Sequence, residues 1–127
     1  SILRTFKICL IFALLKLRII KWKNVIEHCQ VDKKMLKAFQ RFYDVSMLST
    51  WTKPQDIMIT FNNADLVTCK KDGRTRIVIN IGHNKYRLVA GYYFATSQTI
   101  VYIKFVGTHA AYNKIDVCTV DMFKKQK

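Results

Sequence analysis

The sequence predicts an α+β fold in which N-terminal helices pack on a mainly antiparallel β-sheet meander. Between Trp22 and Tyr43, apolar residues recur at helical spacing, whereas from Arg74 onward they alternate at the two-residue period of strands. Short turn-forming segments separate three such alternating runs, and strands joined this way usually pair as neighbours. The 127 residues are enough for one domain with a core of its own.

The first half of the chain has the pattern of one short strand and three helices. Residues 17–20 alternate, and residues 22–29 have one apolar helical face. Asp32 is an expected N-cap for a longer helix, and Pro54 is expected to begin a third. The apolar side of the long helix is predicted to consist of Met35, Leu36, Phe39, Phe42 and Tyr43.

The second half has the pattern of four strands. They are expected at residues 64–69, 74–81, 85–95 and 100–106, with a hairpin turn at Asp72-Gly73, where a positive φ is tolerated. Residues 109–114 could form a turn of helix after the last strand. Trp51 and Tyr93 are expected to be packing residues.

The charge balance restricts the class of partner. The chain has 22 Lys and Arg against 8 Asp and Glu, a formal net charge of +14. Such a surface attracts polyanions, which include nucleic acid, the ribosome, an anionic membrane and an acidic protein. Charge alone does not indicate a reaction.

The cysteines and histidines lack the spacing of a metal site. Cys9, Cys29, Cys69 and Cys118 contain no Cys-x-x-Cys pair, and the three histidines are equally dispersed. We therefore predict no metal and no cofactor. We also expect no disulfide framework, but reduced thiols in a cytoplasmic protein.

Residues 1–16 differ from the rest of the chain. Basic residues precede the apolar run 8–15, as in a signal peptide, but no small-residue cleavage site follows. The run is also too short to span a bilayer. We expect residues 1–16 to be an apolar and basic extension, residues 17–127 to be the functional domain, and no membrane to be involved.

One end of the predicted sheet collects polar side chains. Arg87 begins its strand and Lys104 lies late in the next, antiparallel strand, so pairing is expected to bring them together. His109 and Tyr112 follow at the exit of that last strand. A fixed cation, a group that titrates near neutrality and a weak acid suit phosphate chemistry. The residues expected to meet there are Asn80, Asn84, Lys85, Arg87, Lys104, His109 and Tyr112.

Two segments, residues 80–88 (NIGHNKYRL) and 102–116 (YIKFVGTHAAYNKID), closely resemble the HigB toxins of bacterial type II toxin–antitoxin systems, in the RelE/ParE superfamily. The similarity extends more weakly over residues 17–67 and leaves out residues 1–16. The resemblance implies a RelE/ParE-like fold and an mRNA interferase that commonly acts on the ribosome. It also implies an antitoxin with a helix-turn-helix DNA-binding domain.

Four residues of this chain match the positions that the family pattern assigns to catalysis. By this resemblance Arg87 and Lys104 stabilise the phosphate, while His109 transfers a proton with Tyr112 as partner, orienter or stacking platform. Which group is acid and which is base stays open. Some relatives have Arg at the position of Lys104. The expected RNA-binding residues are Asn80, Asn84, Lys85 and Lys114.

Two other functions stay open. A ParE-like toxin with a protein target such as gyrase would need no acid–base set, and a basic module could bind RNA or the ribosome without catalysis. Taken without the resemblance, His109 could cap a turn and Tyr112 could lie at the rim of the core. Arg87 and Lys104 could then be solvated charges of the sheet.

Overall fold

The computed structural model describes residues 16–124 as four helices and one five-stranded mixed sheet. The predicted α+β class is therefore confirmed. In chain order the elements are β1 (Lys16–Ile20), α1 (Trp22–Cys29), α2 (Lys33–Met47), α3 (Pro54–Thr60), β2 (Asp65–Thr68), β3 (Thr75–Ile81), β4 (Tyr86–Phe94), β5 (Gln98–Thr108) and α4 (His109–Tyr112).

The sheet has the strand order β1-β5-β4-β3-β2. Strands β2 to β5 form the predicted antiparallel meander, and β1 adds to the free edge of β5 in parallel. This parallel edge strand was not part of the predicted meander. Lys16, placed in the expected extension, begins β1, and the rest of that extension lies outside the described residues. Within residues 16–124, no helix is long and apolar enough to cross a bilayer.

Local interactions define the predicted element ends. Asp32 caps α2, because its Oδ1 accepts hydrogen bonds from the backbone nitrogens of Lys34 (2.9 Å) and Met35 (3.3 Å). Pro54 lies in the first turn of α3, where its missing N–H is not needed. Gly73 in the β2–β3 turn has φ +71°, which confirms the predicted hairpin.

The main core lies between the helices and one face of the sheet, the helix-covered face. Val25 and Phe39 from the helices and Leu88 from the sheet are fully buried in this core. Trp51 is buried there as predicted, and its Nε1 donates to Thr60 Oγ1 at 2.8 Å. The same expectation was wrong for Tyr93, which is 59% exposed because it lies on the opposite face.

The opposite face of the sheet, here called the second face, has a smaller hydrophobic cluster. Val78, Val89 and Phe105 form its centre. α4 and the C-terminal segment, residues 113–124, cover it with Ala111, Tyr112, Ile115, Val117 and Val120. The middle of the second face is therefore closed to solvent, and its polar side chains are left at the two ends.

The expectation of reduced thiols was wrong for two cysteines. Cys69 and Cys118 form a disulfide, with their Cα atoms 5.6 Å apart. Their separation of 49 residues gave no indication of this, because the fold brings the C-terminal segment back to the end of β2. Cys29 is free, and burial raises the pKa of its thiol to about 11. Cys9 lies outside the described residues.

We predict that reducing the disulfide lowers the free energy of unfolding by up to about 4 kcal/mol, the chain-entropy value for a loop of this length. Urea unfolding followed by circular dichroism, with and without reductant, measures the difference. The double variant Cys69→Ser/Cys118→Ser should match the reduced protein and not respond to reductant. An unchanged urea midpoint in protein shown by mass to be reduced would contradict the prediction.

Candidate functional site

Arg87 is held in position at one end of the second face. Its Nε donates a hydrogen bond to Asn80 Oδ1 at 3.0 Å. Asn80 is the residue of β3 that pairs directly with Arg87. The guanidinium carbon of Arg87 lies 4.4 Å from the centroid of the Tyr112 ring, within the range of a cation–π contact. Asn80 itself is oriented by donating through Nδ2 to the Asn63 carbonyl oxygen at 3.1 Å. Two strands and α4 thus position one guanidinium.

Gly107 makes room for the aromatic side chain that packs beside Tyr112. Phe105 lies 6.4 Å from Tyr112 between ring centroids and is folded over Gly107. A Cβ at Gly107 would lie 2.7 Å from Phe105 Cζ, closer than real contacts allow. The absence of a side chain at Gly107 therefore lets Phe105 pack beside Tyr112.

His109 begins α4 next to this group. Thr108 caps the helix by accepting from the Ala111 nitrogen at 3.1 Å, and the His109 nitrogen donates to the Lys85 carbonyl oxygen at 3.2 Å. Residues three apart in a helix lie on neighbouring positions of its surface, so His109 and Tyr112 share one side of α4. The side chain of His109 is half-buried. The structure thus brings Arg87 and Tyr112 into contact and has His109 on the same helical turn.

The predicted RNA-binding residues have two different structural roles. Asn84, at φ +69°, and Lys85 are exposed in the β3–β4 turn, and Lys114 is exposed just after α4. Lys85 contacts α4 through the hydrogen bond from the His109 nitrogen to its carbonyl oxygen, and Lys114 follows α4 in the chain, so these three are here called the rim residues. Asn80, by contrast, is engaged by Arg87 and orients that side chain.

The prediction that Lys104 joins this group was wrong. Strand β5 continues to Thr108, so Arg87 pairs with Gly107 and Lys104 lies further along, at a β-bulge opposite Val89 and Ala90. Its Nζ is 3.4 Å from Asp121 Oδ2 and 6.0 Å from the centroid of the Tyr102 ring. Lys104 therefore lies at the other end of the second face.

A pocket of about 560 Å³ lies at that other end. Gly91, in the floor of the pocket, lies four residues beyond Arg87 on β4, which corresponds to about 13 Å along a strand. This pocket was not predicted, although the alternation within residues 74–81 and 85–95 puts Arg76 on the same side of its strand as Asn80, and Tyr93 on the same side of its strand as Arg87. Its lining includes Arg74, Arg76, Gly91, Tyr93, Tyr102 and Lys104.

Arg87 has no acidic partner in the part of the chain that the structure describes. The ion pairs found among residues 16–124 are Arg74–Asp72 and Lys104–Asp121, and no carboxylate oxygen lies within 4.0 Å of the Arg87 guanidinium. A guanidinium that is oriented and not neutralised can form two parallel hydrogen bonds with a phosphate. The end of the second face that carries Arg87, here called the Arg87 end, is thus suited to bind a phosphodiester.

A family model described as the HigB toxin, the RelE-like toxic component of a toxin–antitoxin system, matches residues 35–115. The chain belongs to this family. A comparison with curated proteins gave no match. The matched region of this HigB-family toxin contains Arg87, His109 and Tyr112 and ends before Cys118 and Asp121. Membership in a toxin–antitoxin family also implies an antitoxin partner.

We predict that Gly107→Ala lowers the free energy of unfolding by about 1–3 kcal/mol, because Phe105 must leave its position over the glycine. Gly91→Ala is the matched control on the same face. A Cβ there would lie 3.7 Å from Arg76 Nη1 and 4.0 Å from Lys104 Cε, which are ordinary contacts. Urea unfolding measures both variants, and equal midpoints for the two would contradict the role given to Gly107.

Proposed function

We propose that this toxin is an mRNA interferase, an RNA endonuclease that acts on ribosome-associated mRNA in the cytoplasm and so inhibits translation. The observation that carries the proposal is the Arg87 guanidinium, which Asn80 and Tyr112 orient beside α4 and which no described carboxylate neutralises. The membership in the RelE-like toxin family supports the same conclusion.

The proposed reaction uses the RNA's own 2′-hydroxyl as nucleophile. The 2′-oxygen forms a bond to the adjacent phosphorus, and the bond from phosphorus to the 5′-oxygen breaks. One proton leaves the 2′-hydroxyl and one is delivered to the 5′-oxygen, so the products are a 2′,3′-cyclic phosphate and a 5′-hydroxyl. This chemistry requires no metal. It needs stabilisation of the charge on the phosphoryl oxygens and help with the two proton transfers.

The geometry supports a separate role for each residue. Arg87 binds and stabilises the phosphoryl oxygens. His109 transfers a proton, because imidazole is the side chain that both gains and loses a proton near neutral pH. Tyr112 has Arg87 over its ring and Phe105 beside it, so we assign it mainly to positioning the guanidinium.

The rim residues hold the RNA strand around the cut. Asn84, Lys85 and Lys114 are exposed next to Arg87 and His109, where they can contact phosphate and sugar groups. Lys104 lies three residues along β5 from Gly107, the partner of Arg87, and its Nζ is paired with Asp121, so we assign it no role at this phosphate. The proposed antitoxin carries a helix-turn-helix domain and silences the toxin when bound.

We predict that His109→Ala lowers the cleavage rate at least about 100-fold. Arg87→Lys should also cause a large loss, because an ammonium keeps the charge but cannot maintain the paired contacts to Asn80 and Tyr112. The measurement adds purified protein to translating ribosomes and maps new RNA ends, which should be a 5′-hydroxyl and a 2′,3′-cyclic phosphate. His28→Gln, an exposed histidine on α1, is the matched control and should cleave like the wild type.

Two results would contradict the proposal. Wild-type cleavage by both His109→Ala and Arg87→Lys would exclude the assigned chemistry. Arrest of growth by the toxin without new RNA ends would favour a protein target instead.

A further inference from the structure

The pocket at the far end of the second face is built mainly of cations and aromatic rings. Arg74, Arg76 and Lys104 lie around it, and Gly91 leaves its floor open because it has no side chain. Its volume of about 560 Å³ falls within the usual range of small-ligand sites. The reaction proposed above makes no use of it.

Arg76 is a partly buried cation of the pocket. Its Nη1 donates to the Thr75 carbonyl oxygen at 3.3 Å, and its Nε is buried without a hydrogen-bond partner among residues 16–124. No carboxylate of the described residues forms an ion pair with it. A partly desolvated guanidinium without a counter-charge favours an anion in the space that it faces.

Lys104 already binds one anionic oxygen at the edge of the pocket. The Asp121 carboxylate lies 3.4 Å from its Nζ, and the Met122 nitrogen donates to the Lys104 carbonyl oxygen at 2.8 Å. The C-terminal segment thus holds a carboxylate next to the ammonium. A phosphate that bound to Lys104 would compete with Asp121.

Two tyrosines leave aromatic surface open beside these cations. Tyr93 is 59% exposed and Tyr102 is 38% exposed, on the neighbouring strands β4 and β5. Exposed rings next to arginine and lysine are the combination that single-stranded nucleic acids use, because bases stack on the rings while phosphates bind the cations. An acidic peptide would use the cations but would leave the rings without a function.

We propose that this pocket is a second RNA subsite, which binds a phosphate and a base of the strand that flanks the cleavage position. Arg76 and Lys104 bind the phosphate, and Tyr93 with Tyr102 stacks on the base. The inference rests on the proposed function, since it adds a second RNA contact about 13 Å from Arg87, measured along β4, on the far side of the covered cluster. In this arrangement the subsite holds the strand, while the Arg87 end cuts it.

The test measures binding to a fluorescent poly-uridine oligonucleotide with 2′-O-methyl groups, which has no 2′-hydroxyl to attack. Arg76→Gln should raise Kd at least about 5-fold and lower the slope of log Kd against log salt by about 0.7, the value for one contact to a single strand. Lys37→Gln is the matched control. It removes one exposed charge from α2, which covers the other face, and should leave Kd nearly unchanged.

The tyrosine and aspartate variants give results that misfolding cannot imitate. Tyr93→Ala should raise Kd about 5- to 100-fold, whereas Tyr93→Phe should keep wild-type affinity because the ring remains. Asp121→Asn should lower Kd, since it removes the carboxylate that competes for Lys104.

Three outcomes would overturn the subsite. In the first, Arg76→Gln has the same Kd as Lys37→Gln. In the second, Tyr93→Phe loses as much affinity as Tyr93→Ala. In the third, Arg76→Gln and Tyr93→Ala weaken binding to poly-glutamate as much as binding to the oligonucleotide. The last would assign the pocket to an acidic polypeptide. These assays measure binding alone. If the protein cleaves RNA but the pocket variants bind RNA like the wild type, only the proposed subsite is contradicted. If the variants bind as expected but the protein does not cleave RNA, only the proposed reaction is contradicted.

Discussion

The β-bulge at Lys104 is the constraint that arranges both polar ends of the second face. Ala90 pairs with Ile103 and Val89 pairs with Phe105, so β5 has one extra residue at this point. In an uninterrupted strand, Ile103 and Phe105 would lie on the same face. The bulge instead buries Ile103 under the helices and turns Phe105 to the second face.

This change of face has consequences on each side of the bulge. After it, Gly107 comes to the second face opposite Arg87, where it accommodates Phe105 and thereby supports Tyr112. Before it, Tyr102 and Lys104 lie on the second face at the pocket. One extra residue thus puts the Arg87 end, the covered cluster and the pocket on a single surface.

The region that matches the HigB family and the C-terminal segment make different contributions. Residues 35–115 contain the Arg87 end and most of the sheet, whereas Cys118 and Asp121 lie beyond this match. The C-terminal segment covers the hydrophobic cluster and brings a carboxylate to Lys104. If the disulfide were reduced, the packing of the partly buried Val117 and Val120 and the contacts of Asp121 and Met122 with Lys104 would still hold this segment.

Local patterns made most of the fold predictable. The cap at Asp32, the turn at Gly73 and the alternation of β3 and β4 each depend on neighbours in sequence, and each was confirmed. The position of Lys104 and the disulfide depend on long-range register, which local patterns do not contain. A signal for the bulge was present, since Lys104 interrupts an apolar run and Phe105 and Val106 then depart from the two-residue period.

The guanidinium groups of Arg87 and Arg76 fit a protein that is organised to receive an anion. Arg87 and Arg76 occupy opposite ends of the second face, and neither has a carboxylate partner among residues 16–124. Leaving such groups partly desolvated on a chain with net charge +14 works against stability, since like charges repel. The contacts to Asn80 and Tyr112 at one end, and to Thr75 at the other, orient each guanidinium without neutralising it. A phosphodiester strand bound as proposed would supply the missing charge at both ends, and its binding would then also relieve the repulsion.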